Sequence, residues 1–280
     1  LVNALAQTDY SQAEPVMLEL LGNNPSGDLE KVLYDALGRI GTKASLKPLK
    51  SAAEQRQYAY GKADPTAAYL ALLNRLAESD PGLVKKEAEK FLSRATKLQR
   101  QDLKAAAAGL LLSLPATDKT GLLKKALKDG NIVYLTQVLN SYPYHNDEKA
   151  VKLILKSLSP KASPDVQIAI LYWIGNQKVT PAVSHLSDYL NISDKDVQKA
   201  AVYALSKIGG EPALLSLVGL LKSSDENAVM LAKEALAGYA GDISAALSSV
   251  FDDCGKQGKI AVLQLIANRR LYDRYRLVYN

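Results

Sequence analysis

The sequence predicts an all-α fold, a right-handed superhelix of antiparallel helix pairs. Three observations carry that expectation. First, the segments Ser163 to Ile174, Asp194 to Leu205 and Asp225 to Leu236 align without gaps at an offset of 31 residues. In the first two, Val166 falls on Val197, Ala169 on Ala200 and Tyr172 on Tyr203. Fixed-period self-similarity of this length is the mark of a stacked repeat. Second, Pro181 and Pro212 are also 31 apart and open a second helix in each unit, since proline suits a first helical turn. Third, Ala, Leu, Lys and Glu, all good helix formers, are abundant, and the Val, Ile and Thr runs of a β-protein are missing.

The elements follow in order. Asp28 to Ile40 and Ala44 to Ala53 form a pair around Gly41. Asp64-Pro65 opens a helix reaching about Ala77. Pro81-Gly82 precedes another, with Val84, Ala88, Phe91 and Ala95 as one apolar stripe. Lys86, Lys90, Arg94 and Lys97 read as its solvated face. Asp102 to Leu114 stops at Pro115, and Thr120 to Leu127 stops at Asp129-Gly130. Ile132 to Leu139 and Glu148 to Leu158 come next.

From Ser163 the register is clearest, over 163–247. Ser163, Asp194 and Asp225 can each accept a hydrogen bond from a free N–H of a first turn. Pro181 to Leu190 and Pro212 to Leu221 are the second helices. Gly41, Gly175 and Gly209 read as helix ends that use a left-handed backbone. Ala200, Ala201 and Ala204 are small where neighbouring helices approach closely, and Trp173 takes the place of Ala204 one repeat earlier. The chain thus reads as a single array over 1–280 of roughly eight helix pairs. Ile266 to Leu271 resembles Ile174 to Val179, so Asp273 to Asn280 would begin a partner helix. With no polar closing helix, the chain reads as a piece of a longer protein.

Asp35 to Leu49 and Ala204 to Leu217 resemble the signature of the short HEAT repeat, the type of about 30 residues seen in phycobilin-lyase-like proteins. That resemblance implies the superhelix and says little about function, because such arrays serve as scaffolds, enzyme accessory subunits and nucleic-acid enzymes. The whole chain also resembles the repeat region that precedes a 3-keto-disaccharide hydrolase-type domain in exported bacterial proteins. That second likeness leans the compartment towards the extracytoplasmic side.

The chemistry-bearing residues are sparse. The chain has 280 residues, 48% hydrophobic, with a net charge of +6. Its one cysteine, Cys254, excludes an intramolecular disulfide framework. The most apolar run, Ala105 to Ala116, falls well short of the ~20 residues needed to span a bilayer. His145 and His185 lie far apart, and no metal, nucleophile or phosphate-loop motif is complete. Gly255 to Lys259 reads as a polar loop, Cys254 beside Asp252-Asp253 as an unreactive thiol, and Asp147-Glu148 as turn acids. No cofactor, metal or catalytic residue is expected.

Two stretches are candidate partner-binding residues. Tyr142, Tyr144 and His145 make an aromatic connection between helices, and exposed rings anchor partners; the plainer reading is that they close the seam between repeats. Arg269, Arg270, Tyr272, Arg274 and Tyr275, with Lys256, Lys259 and Arg276, form a basic aromatic tail suited to an acidic partner or to a junction with a following domain.

The expected function is a non-catalytic interaction scaffold or accessory repeat region. It would present a concave surface, made by one helix of each pair, to a protein partner or a linked domain of the same polypeptide. The alternatives are a nucleic-acid-binding solenoid and an accessory region of a carbohydrate-active enzyme. Nucleic acid is not the expected partner: the columns through Gln167 and Gln198, or Ile168 and Lys199, hold no basic ladder.

Overall fold

The structure is a computed structural model that describes residues 11–271 apart from 24, 60, 62, 116 and 146, and every regular element among them is helical. The chain is an all-α helical solenoid. It divides into two compact units, Leu1–Lys119 and Thr120–Asn280.

The first unit holds α1 (Glu14–Gly22), α2 (Asp28–Ile40), α3 (Lys43–Gln55), α4 (Pro65–Ser79), α5 (Pro81–Lys97) and α6 (Gln101–Ser113). Their starts follow from local chemistry. Asp64 accepts from the Ala67 N–H and Asp80 from the Leu83 N–H, each at 3.0 Å, with Pro65 and Pro81 next in line. Pro81 and Gly82 therefore lie inside α5, not ahead of it. The interior is built from Leu33 and Leu37 of α2, Leu49 of α3, Leu72 and Leu73 of α4, and Phe91 of α5. Tyr58 and Tyr69 pack against Phe91 at 5.1 and 6.1 Å between ring centroids.

Two carboxylates hold this unit together across helices. Glu14 on α1 is buried; it accepts from the Thr42 N–H at 2.6 Å and the Ser45 hydroxyl at 2.5 Å, so α1 caps the start of α3. Glu87 on α5 accepts from Lys50 at 2.6 Å, Lys90 at 2.9 Å and the Tyr69 hydroxyl at 3.3 Å. Burial opposes ionisation of both groups. The hydrogen bonds outweigh it and hold both carboxyls below their ordinary value of 4.5. A depressed folded-state pKa stabilises the fold above the unfolded value and ceases to do so as pH falls through the folded one. The first unit is therefore expected to weaken below about pH 4.5. Acid unfolding of Glu87→Gln followed by circular dichroism should start from a lower stability at pH 7 and show a shallower acid slope. An unchanged slope would show that Glu87 does not carry the effect.

The second unit holds α7 (Lys119–Asp129), α8 (Ile132–Leu139), α9 (Glu148–Ser157), α10 (Pro164–Asn176), α11 (Val183–Leu186), α12 (Lys195–Ile208), α13 (Gly210–Gly219), α14 (Glu226–Ala237), α15 (Ser244–Val250) and α16 (Lys256–Asn268). The first helices of its pairs are α8, α10, α12, α14 and α16, and each packs on the next. The second helices α7, α9, α11, α13 and α15 alternate with them along the chain. Asn131, Asp147, Asp194 and Asp225 cap helix starts through their side chains.

Ser163 departs from the expectation. It makes no side-chain cap, and Pro164 opens α10 without one. The segment 180–189 is also less regular than the predicted second helix. It winds as a 3-10 turn, the single turn of α11, and another 3-10 turn. Ser184, His185, Ser187, Asp188 and Tyr189 are middling to poor helix formers, and the Ser187 hydroxyl takes the Ser184 carbonyl at 2.8 Å.

Of the three glycines expected to end helices with a left-handed backbone, one does so and two are corrected. Gly209 does end α12 with φ of 69°. Gly175, however, is buried inside α10, where a Cβ would sit 2.8 Å from Ala204 Cα. It is a close-approach residue, and α10 and α12 meet there. Gly41 has φ of −58°, so no left-handed turn is involved. The turn after α10 is carried instead by Lys178 at φ 51°, and after α16 by Arg270 at φ 53°. In both, an N–H reaches back at 3.0 Å: Val179 to the Ile174 carbonyl and Leu271 to the Ile266 carbonyl. The likeness of Ile266–Leu271 to Ile174–Val179 is thus a shared helix stop. The expected helix over 273–280 lies outside the described residues. Gly255 to Lys259 is no loop: Gly255 precedes α16, and Gly258 is buried within it against the Leu221 carbonyl.

Candidate interaction surface

The two rows of helices in the second unit use their surfaces differently. The first-helix row is laced by polar contacts about one repeat long. The Tyr203 hydroxyl of α12 donates to Asn176 Oδ1 of α10 at 2.7 Å. Lys195 of α12 pairs with Asp225, the cap of α14. Asn227 of α14 donates to Gln198 Oε1 of α12 at 3.3 Å. Between α14 and α16, Gln257 donates to Glu226 at 3.1 Å and Lys233 to Gln264 at 3.0 Å. Gln167 and Gln198 are buried and donate to the loop carbonyls of Ala162 and Leu190. That glutamine column is structural. Tyr172 and Tyr203 rest ring to ring at 4.9 Å, with the Lys207 ammonium over Tyr203 at 5.4 Å. A groove of about 460 Å³ with Met230 and Ile260 in its walls is bracketed by the two α14–α16 rungs. Val133, Met230 and Ile260 are exposed on that row.

The second-helix row carries fewer polar contacts: among the described residues, Lys222 beyond α13 meets Asp253 beyond α15 at 3.5 Å. Leu215 of α13 is 53% exposed although both neighbouring apolar positions on its helix, Leu214 and Leu217, are buried. It stands between two clefts. One, of about 530 Å³, runs towards α15 and is lined by Leu214, Leu215, Tyr239, Ala245, Ala246 and the acids Glu211 and Asp242. The other, of about 360 Å³, runs towards the 180–189 segment and is lined by Leu190, Asn191, Leu215, Ser216 and Leu220. An exposed leucine with an apolar recess on either side is the arrangement a partner side chain fills. Leu215 was not singled out from the sequence. Leu214, Leu215, Leu217 and Val218 look alike there, and only the helix phase separates the outward one.

The residues that were singled out fare unevenly. Tyr142 is corrected: it is 2% exposed, and its carbonyl accepts from Trp173 Nε1 at 3.0 Å. Its ring belongs to the seam between repeats and is not offered to a partner. Tyr144 is half-buried, with its N–H on Gln177 Oε1 at 3.3 Å, and its ring lies 4.5 Å from that of the exposed His145. Arg269 is corrected too. Its guanidinium donates to the carbonyls of Leu236, Tyr239 and Gly241 at 2.6–2.8 Å, closing the end of α14 from one repeat away. Arg270 is exposed. Tyr272, Arg274 and Tyr275 lie outside the described residues. The Tyr144–His145 pair follows α8 and Arg270 follows α16, with α10, α12 and α14 between, so no single site gathers them.

Reactive chemistry has little foothold. Cys254 is buried, which pushes its thiol up, and Asp253 pushes the same way against Lys222 and Lys259. Asp147 is a helix cap, and Glu148 pairs with Lys152 at 2.6 Å. His185 is exposed on α11. Among the described residues no three His, Cys, Asp or Glu side chains converge as a metal site would require, and no helix is long and apolar enough to cross a membrane.

The sequence model of the family described as HEAT repeats matches residues 146–237, from the start of α9 to the end of α14. That span is about a third of the chain and contains α13 with Leu215. Fold and match together define a helical solenoid in which residues 146–237 are similar to HEAT repeats, and such repeats generally mediate protein interaction. No curated protein matches the chain.

Proposed function

We propose that the chain is a non-catalytic interaction array. In this reading the second-helix row of the second unit holds a protein partner, or a linked domain of the same polypeptide, with Leu215 as its central anchor. The observation that carries this is the exposed Leu215 between two clefts, on a row where the described residues show one repeat-long ion pair, Lys222 with Asp253, against five polar rungs along the first helices. The short, phycobilin-lyase-like HEAT type is the family form that suits pairs starting 31 residues apart at Pro164, Lys195 and Glu226. A sugar-active domain on the same polypeptide is one partner of the linked kind.

Photo-crosslinking tests the reading. A benzophenone side chain at Ser249 or at Asn191, one from each cleft and both exposed, should give the same partner adduct. The same group at Thr136, exposed on the first helix α8, should not. Equal adducts at all three positions, or none at any, would remove the assignment.

A further inference from the structure

Two helices of that same row, α7 and α9, carry lysines with little opposite charge on their own helix. In α7, four lysines (Lys119, Lys124, Lys125, Lys128) stand against Asp129, and in α9 three (Lys149, Lys152, Lys156) against Glu148. Of the first helices, α8 and α10 carry between them the single charge of Asp165, while α12 holds Lys195, Lys199 and Lys207 with Asp196, and its Lys195 is paired with Asp225. Buried triplets fix the register. Leu122, Leu123 and Ala126 of α7 correspond to Ala150, Val151 and Ile154 of α9, and to Ala213, Leu214 and Leu217 of α13. Lys124 then shares a column with Lys152 and, further along, with Leu215. Lys128 shares one with Lys156. All four lysines are exposed.

Folding gains little from this pattern: Lys128 and Lys156 complement the helix dipole in the last turns of α7 and α9, worth a few tenths of a kcal/mol each at an exposed position. Like charges at i, i+4, as in Lys124–Lys128 and Lys152–Lys156, cost an isolated helix a few tenths of a kcal/mol. Lys152 has Glu148 at 2.6 Å, but both ends of that pair are at least 74% exposed, and such pairs contribute little. Lys124, Lys125, Lys128, Lys149 and Lys156 have no carboxylate in ion-pair reach among the described residues.

We infer that these lysine columns receive an acidic helical segment of the protein partner, whose apolar part seats beside Leu215. The inference rests on the second-helix row being the binding face. A partner helix that crosses the row meets α7 and α9 about 10 Å apart, about two helical turns, so carboxylates repeated along it face the two lysine pairs in succession. Neighbouring helices of a row stand about 10 Å apart, so α9 and α13, two steps apart, are spanned by a helix of roughly 14 residues. A phosphodiester backbone fits less well. α7 and α9 hold no arginine and no aromatic side chain for forked or stacked recognition. A nucleic acid also has no aliphatic group for the clefts at Leu215.

The test uses the whole chain and two labelled probes followed by anisotropy: a glutamate-rich helical peptide with Glu at i, i+4, and a DNA duplex of about 20 base pairs. The peptide should bind more tightly than the duplex at equal salt. The set Lys124→Glu, Lys128→Glu, Lys152→Glu, Lys156→Glu should weaken peptide binding by about tenfold or more, a loss of about 1.4 kcal/mol. The matching Lys→Gln set guards against misfolding and should give an intermediate loss. Lys199→Glu with Lys256→Glu, on first helices, should leave binding unchanged. Peptide affinity within twofold of the parent in the Glu set overturns the inference, and so does preference for the duplex. If the peptide result fails while the Ser249 and Asn191 adducts persist, the lysine assignment falls alone. If those adducts are also absent, the binding face itself is wrong.

Discussion

Replacing Trp173 with alanine is expected to cost about 4 kcal/mol, the range for a buried aromatic truncated to a methyl. Trp173 is the only tryptophan and is buried on α10. It fills the place that Ala204 holds one repeat later, where the neighbour is the turn after α8 and not another tight helix contact. Its indole N–H donates to the Tyr142 carbonyl at 3.0 Å across 31 residues. The alanine variant leaves a cavity and removes the donor to the Tyr142 carbonyl together. In a unit of this size the loss corresponds to a drop in Tm of roughly 8–16 °C. Trp173→Phe keeps most of the packing and should lose about 1–2 kcal/mol, mainly the hydrogen bond. Urea unfolding followed by circular dichroism measures both. A cost below about 1.5 kcal/mol for the alanine variant would mean that Trp173 is not the wedge between these repeats.

Alanine at Gly175 is expected to destabilise, against the usual sign. In an ordinary helix interior, Gly→Ala gains up to about 1 kcal/mol. Here the added Cβ would meet Ala204 Cα at 2.8 Å and the Tyr203 ring at 3.3 Å. The first is backbone, so α10 and α12 must move apart and disturb the Tyr172–Tyr203 contact. A net loss of about 1–3 kcal/mol follows, and Gly175→Val should exceed it. Gly219, the last residue of α13, supplies the control: a Cβ there meets nothing within 4 Å, so Gly219→Ala should be neutral or stabilising. If Gly175→Ala and Gly219→Ala stabilise alike in thermal melts, the close approach is absent.

How far the sequence shows these features depends on the range of the physics behind each. Asp194 and Asp225 are legible as caps because the bond they make is two or three residues long. Ser163 has the same chemistry, but its side chain is not used, and no local signal separates it from the other two. Gly175 reads as a helix stop because glycine has two roles and only the partner helix decides between them. Arg269 looks like a free basic residue. Its three carbonyl partners lie about 30 residues earlier in the chain, beyond any local pattern. Columns aligned on the first helices hold no basic run, whereas the buried triplets of α7 and α9 bring their lysines into register. The helix phase that exposes Leu215 becomes clear in the same way, once burial is known.

These features divide the second unit by task. The first helices hold repeats to one another through Tyr203, Asn227, Gln257 and Lys233. The second helices offer lysines at one end and the Leu215 clefts at the other. A substitution at an exposed position away from structural contacts moves stability by about 0.5 kcal/mol at most. Leu215→Glu therefore separates binding from folding. The decisive measurement is the partner adduct formed from Ser249 in the Leu215→Glu chain, with its Tm taken alongside. The account predicts that the adduct is lost while the Tm stays within about 2 °C of the parent. An adduct that persists in the folded variant would contradict it.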